Sequence, residues 1–213
     1  MERIRRTTGR LPLLSLVKKL KRRLTAERLE HSLSVADTAC FLAKVHGLSV
    51  EKAYIAGLLH DVARDMPYRV LLVYARKSHI PVGRIELEEP VLLHAPVGAE
   101  VARREFGVTD EYVLKAISRH TTGCPGMSAL DLVLYVADYI EPRRRFGGFR
   151  GDSQDMKNIR VTALEDLKGA ALMVMDCTVE YLIRQKRLIH PRTIQARNDL
   201  LRRIASVGGE DKR

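Results

Sequence analysis

The amino-acid sequence predicts an all-α protein, a compact bundle of short helices, and three observations support that class. Glycines and prolines fall at helix-length intervals, and strand-like alternation of apolar and polar residues is scarce. His31, Val35, Ala39 and Leu42 form an inward stripe at helical spacing. At 213 residues and 46% apolar content, the chain suits one domain with a substantial core.

Taken in order, the basic start (Arg3, Arg5, Arg6, Arg10) precedes an apolar patch from Leu11 to Val17. Lys18, Lys19, Lys21, Arg22 and Arg23 close the patch without a small-residue cleavage site, which reads as an amphipathic first helix and not a secretory signal. A helix follows from about Ala26 to His46, where Gly47 stops it. Ser49 caps the next, which runs to about His60 ahead of Pro67. A third covers roughly Tyr68 to Lys77. The stretch from Pro90 to Phe106 reads as a short helix, a break at Pro96 and a second helix ended by Gly107.

Thr109 is expected to cap a helix reaching about His120, before a Gly/Pro loop from Thr121 to Gly126. Ser128 opens a very apolar helix through Ile140, closed before Pro142. A basic loop runs from Arg143 to about Asp155, followed by helices at about Val161 to Lys186 and Thr193 to Ile204. The expected organisation is a basic extension and first helix at 1–23, a main helical domain at 24–204 and a polar tail at 205–213.

A formal net charge of +11 asks for an anionic partner. Nucleic acid at the basic termini and a polyphosphate substrate both answer to it. No apolar run approaches the roughly 18 residues needed to cross a membrane. The longest, Ala129 to Ile140, is interrupted by Asp131 and Asp138. Three cysteines (Cys40, Cys124, Cys177) without CxxC spacing point to a reducing, cytoplasmic setting.

Chemistry concentrates around His60-Asp61. Neighbouring helical residues diverge by about 100°, so both reach one ion most easily where a helix ends. His31 lies on its apolar stripe, and Asp138 follows Leu132-Val133-Leu134-Tyr135-Val136-Ala137, where an uncompensated carboxylate would cost several kcal/mol, roughly. His94 follows Val91-Leu92-Leu93, and His120 shares a face with Val113, Ala116 and Ile117. Together His31, His60, Asp61, His94, His120 and Asp138 could hold two metals with Asp61 between them. Nitrogen and carboxylate donors suit iron, manganese, cobalt or zinc, and the absence of thiolates argues against a structural zinc site. His46, His79 and His190 sit beside turns and read as structural.

The order H…HD…H…H…D resembles the HD-domain superfamily of metal-dependent phosphohydrolases. Longer stretches carry the likeness further: Glu30-His31-Ser32-Leu33, Ala56 to Asp65, Leu93-His94-Ala95-Pro96-Val97-Gly98-Ala99, His120-Thr121-Thr122-Gly123 and Ala137 to Pro142. Over about Leu24 to Leu201 the chain is similar to the YqeK-type branch, the bacterial symmetrical diadenosine tetraphosphate hydrolases. The resemblance implies an HD-type helical bundle and an iron centre of one or two ions. It also implies cleavage of diadenosine tetraphosphate to two ADP by metal-activated water. By position it makes His31, His60, Asp61 and Asp138 metal ligands. His94 and His120 then complete a second metal site or contact phosphate. Arg28, Thr121 and Arg144 fall at the nucleotide, with Arg143 and Arg145 beside Arg144. Arg64 and Asp65 either orient phosphate and water or pair at a helix end.

Two alternatives stay open at this level: another HD phosphohydrolase of nucleotides, and a basic RNA- or ribosome-binding protein with an idle metal site. Arg64 stands where alarmone hydrolases of the superfamily carry an acid, and the Gly-Tyr-Pro signature of cyclic-dinucleotide phosphodiesterases is absent. A 5% aromatic content offers little surface for stacking bases. Homodimer formation is compatible with the sequence.

Overall fold

In the computed structural model, the described residues are 13–142 and 153–208. Arg143, Arg144 and Arg145, the basic residues before position 13 and the last five residues lie outside them. The elements are α1 (Leu13–Leu20), α2 (Ala26–Val45), α3 (Val50–Leu59), α4 (Tyr68–Lys77), α5 (Arg84–Glu88), a 3-10 turn (Pro90–Leu93), α6 (His94–Phe106), α7 (Glu111–Arg119), α8 (Ala129–Ile140), α9 (Gln154–Glu165), α10 (Leu167–Arg184) and α11 (Pro191–Gly208). There is no strand among the described residues, so the all-α class holds. None of their helices is long and apolar enough to cross a membrane.

The bundle is built around α8. Ten of its residues are buried, from Leu130 round to Ile140, because α2, α3, α7 and α10 cover it from different sides. Its start is fixed by a capping box in which Ser128 and Asp131 each accept from the other's backbone N–H. Against it lie α2 and α3, whose crossing is unusually close at Gly57. A Cβ added there would stand 2.6 Å from Ala36 Cα, so only glycine permits the approach. That closeness brings His60, just past α3, alongside His31 in the middle of α2.

The first helix shares the same core. Leu16 and Leu20 have no exposed surface, and Lys19 and Arg23 reach over the Phe106 ring to the Glu105 carbonyl and carboxylate at the end of α6. Helix α6 stops at Gly107, whose φ of 69° is the left-handed conformation that glycine adopts without strain.

Three local expectations need correction. Pro96 breaks nothing: it is the third residue of α6, where the backbone N–H has no intrahelical acceptor to lose, and the discontinuity falls between Leu93 and His94. Asp110, not Thr109, caps α7, its carboxylate accepting from the N–H groups of Tyr112 and Val113 at 3.0 and 3.2 Å. The single helix expected from Val161 to Lys186 is two helices, α9 and α10. Asp166 interrupts the run by leaving helical geometry (φ −133°, ψ 94°) and accepting from the N–H of Gly169.

Candidate metal centre

Four histidines approach one point from four elements: His31 within α2, His60 after α3, His94 at the start of α6 and His120 after α7. All four are buried. Neighbouring rings stand edge to face, with centroids 5.2 Å apart for His31–His60, 5.0 Å for His60–His120 and 5.0 Å for His94–His120.

Three of the rings are aimed by the same device. Each lies at a helix junction and donates its Nδ1–H to the carbonyl three residues back: His60 to Gly57 at 2.7 Å, His120 to Ile117 at 2.7 Å, and His94 to Val91. That bond fixes the tautomer and leaves Nε2 as a lone-pair donor pointing inward. His31 differs. Mid-helix, it has no free carbonyl to use, and its Nδ1 instead meets the fully buried Glu141 carboxylate at 3.0 Å. Glu141 was not singled out by sequence. The only available signal was its place in the Ala137 to Pro142 stretch, where it looks like an ordinary helix end.

Two carboxylates complete the cluster. Asp61 presents Oδ1 to His94 Nε2 at 3.1 Å and His120 Nε2 at 3.7 Å, and Oδ2 to His60 Nε2 at 3.7 Å. Asp138 Oδ1 stands 3.1 Å from His31 Nε2 and 3.8 Å from His60 Nε2. The apolar run ahead of Asp138 predicts a deeply buried acid, but its side chain is 22% exposed because it faces the cavity from the last turn of α8.

His60 Nε2 has no exposed surface and no hydrogen-bond partner among the described residues, although two carboxylates lie just beyond hydrogen-bond reach. An orphaned buried nitrogen of this kind is costly unless something else is ligated there. The donors His31, His60 and Asp138 lie within 4.8 Å of one another, as do His60, Asp61 and His120. The set fits divalent cations in chemistry and size, and His60 and His120 stand at the C-terminal ends of α3 and α7, where the helix dipole is negative.

Burial and the neighbouring carboxylates decide which of these rings holds a proton. Burial disfavours the charged form of His31, but Asp138 and Glu141 outweigh it and raise the pKa to about 9. Burial wins at His60, pushing it down to about 4, and it lowers His94 as well. Asp61 is held well below the usual carboxylate range, because His60, His120 and His94 outweigh the opposing effect of its burial. The surrounding imidazoles therefore favour its anionic form.

The cluster opens on a cavity of about 280 Å³, whose lining includes Arg28, Arg64 and Thr121 as well as His31, Asp61, His94, His120 and Asp138. The lining also includes Tyr135, Tyr139 and Tyr181, which the sequence does not single out. Asp65 is not in this lining. Its carboxylate holds Arg28 Nε at 2.5 Å and accepts from the Thr25 N–H at 2.9 Å, so the ion pair near the helix end joins Asp65 to Arg28. Arg64 makes no ion pair among the described residues. Burial weakens its hold on the proton, against the pull of Asp61. Thr121 Oγ1 lies 3.3 Å from His94 Nε2 and 3.2 Å from His120 Nε2.

The remaining histidines have structural partners or turn positions. His46 donates to the Ala163 carbonyl at 2.7 Å, His190 pairs with Glu86 at 2.9 Å, and His79 occupies a left-handed turn (φ 54°). The three cysteines are free thiols.

The sequence and the helical fold match a known family. The HD domain model matches residues 28–143, and the chain belongs to that family. Within it, the chain is similar to proteins named symmetrical bis(5'-nucleosyl)-tetraphosphatase. It is 37% identical to that of Halalkalibacterium halodurans over 85% of this chain and 93% of the relative. It is also 37% identical to that of Bacillus subtilis, over 85% of this chain and 94% of the relative. Among solved structures, a Clostridium acetobutylicum protein described as a predicted HD superfamily hydrolase involved in NAD metabolism superposes with a TM-score of 0.84. The two are 38% identical, over 92% of this chain and all of that one.

Proposed function

We propose that the chain hydrolyses diadenosine tetraphosphate symmetrically to two ADP, using an HD-type domain at 24–204 and iron as its resident metal. Manganese, cobalt or zinc would suit the same donors. One observation carries the metal-dependent part: the orphaned Nε2 of His60, enclosed by Asp61, Asp138 and three further imidazoles. The relatives that share 37% identity over most of the chain carry the substrate.

His31, His60, Asp61 and Asp138 would hold one ion, and His94 and His120 with Asp61 a second. The two oxygens of Asp61 face the two halves of the cluster, which favours its standing between them. When bound, such ions act as Lewis acids and lower the pKa of water. The chain's own residues do the rest. Water's oxygen joins one central phosphorus, the bond from that phosphorus to the shared bridging oxygen breaks, and the bridging oxygen departs with the other ADP. Arg28 and Arg64 present guanidinium forks to the phosphates, and Asp65 keeps Arg28 oriented. The Thr121 hydroxyl can donate to a phosphate oxygen.

The test compares wild type with Asp61→Ala after loading with iron, manganese or cobalt. Wild type should consume diadenosine tetraphosphate. The variant should lose at least about a thousandfold in turnover while keeping its helical circular dichroism. Turnover by a well-folded Asp61→Ala protein would overturn the assignment.

A further inference from the structure

We propose that a second cavity, behind the His94–His120 pair, receives the second nucleoside half of the substrate. The inference rests on the dinucleotide reading above.

Cleavage at the middle of a symmetrical dinucleotide leaves two chemically identical halves, one on each side of the reacting phosphorus. The metal-facing cavity, at about 280 Å³, falls just short of the roughly 300–1,000 Å³ typical of ligand pockets. It has room for one half. A separate cavity of about 540 Å³ lies against the same turns. Thr121 lines both. Leu93 and Ala95, which flank His94, and Ser118, two residues before His120, face the second cavity, whereas the two imidazoles face the first. The turns that aim the rings toward the metal cluster thus lie between the two cavities, and Thr121 is a lining residue of both.

The chemistry of the second cavity matches a nucleotide. Ile80, Pro81, Leu92 and Pro96 give its lining partly exposed apolar surface, suited to a base. Its Arg103 is committed to Glu100 and Glu111, and His190 to Glu86. Lys115 and Arg192, exposed on the lining, make no ion pair among the described residues and are available to phosphates. The first cavity combines the same elements differently, with three tyrosines beside Arg28, Arg64 and Arg187.

The experiment uses full-length, metal-loaded protein, with diadenosine tetraphosphate and adenosine 5'-tetraphosphate as competing substrates. The second compound carries one nucleoside and needs one half-site. Ser118→Trp obstructs the cavity beside Thr121, and the exposed pair Lys115→Glu with Arg192→Glu reverses the charge at its lining without touching the core. Each variant should reduce the preference for the dinucleotide, as a ratio of kcat/KM values, by about tenfold or more, mainly through KM. Titration calorimetry with ADP should find two sites per chain in wild type and one in Ser118→Trp. Equal shifts for both substrates, no shift for either, or a single ADP site in wild type would overturn the second cavity. Failure of wild type to hydrolyse the dinucleotide would instead overturn the parent reading, and the ADP count would still decide this one.

Discussion

At the scale of single residues, the contrast between His31 and the other three histidines governs how protons compete with metal. His31 alone leans on a carboxylate, Glu141, and its pKa stands at about 9 against 6.5 for an ordinary histidine. Its extra proton affinity stabilises the metal-free fold fully below about pH 6.5, and that contribution disappears as pH rises through about 9. His60 has the opposite sign. Its folded pKa near 4 means that stability is lost as pH falls from about 6.5 toward 4. A cation needs the neutral ring of His31, so binding below pH 9 expels that proton. Metal affinity should therefore rise about tenfold per pH unit between pH 7 and 8.5. Calorimetry in buffers of different ionisation enthalpy should record about one proton released at pH 7.5. PH-independent affinity with no proton release would contradict this account of His31.

Much of this was legible in the residue string. His60-Asp61 at a helix end, His31 on an apolar stripe and Asp138 after an apolar run each announce a polar group in an apolar setting. Glu141 was not legible, because nothing in a helix-ending acid before Pro142 reveals that α2 will bring a ring to meet it. Arg64 and Asp65 illustrate the same limit. Both follow the HD pair, but the turns after α3 send one toward the cavity and the other to Arg28.

At the scale of elements, the cluster depends on how closely α3 can lie on α2. Gly57 serves twice, since its missing side chain allows the contact with Ala36 and its carbonyl aims His60. Gly57→Ala would drive a methyl group into backbone and force the helices apart, an overpacking that typically costs about 1–3 kcal/mol. The expected result is a lower melting temperature together with reduced metal content after reconstitution, because His60 moves away from His31. A variant that melts early but binds its full metal complement would show that the contact supports the fold alone.

Helix identity followed from period and caps, as with Tyr68–Lys77 and the capped start of α8. Boundaries failed where one residue had two uses. Pro96 breaks a helix interior yet suits a first turn, and Asp166 passes for a solvent-facing helical residue until it caps the next helix.

At the scale of the whole molecule, a buried central helix carries Asp138 to the point where four other elements deliver imidazoles and a second carboxylate. Thr121, beside that point, lines two cavities. The central claim is that this arrangement cuts the polyphosphate chain in the middle. The most direct measurement is the product composition from diadenosine tetraphosphate under metal-loaded wild-type protein, followed from the earliest turnover. ADP alone is expected, two per substrate consumed, with ATP and AMP absent throughout. Equal amounts of ATP and AMP would contradict it, since they require the break to fall one phosphate away from the centre.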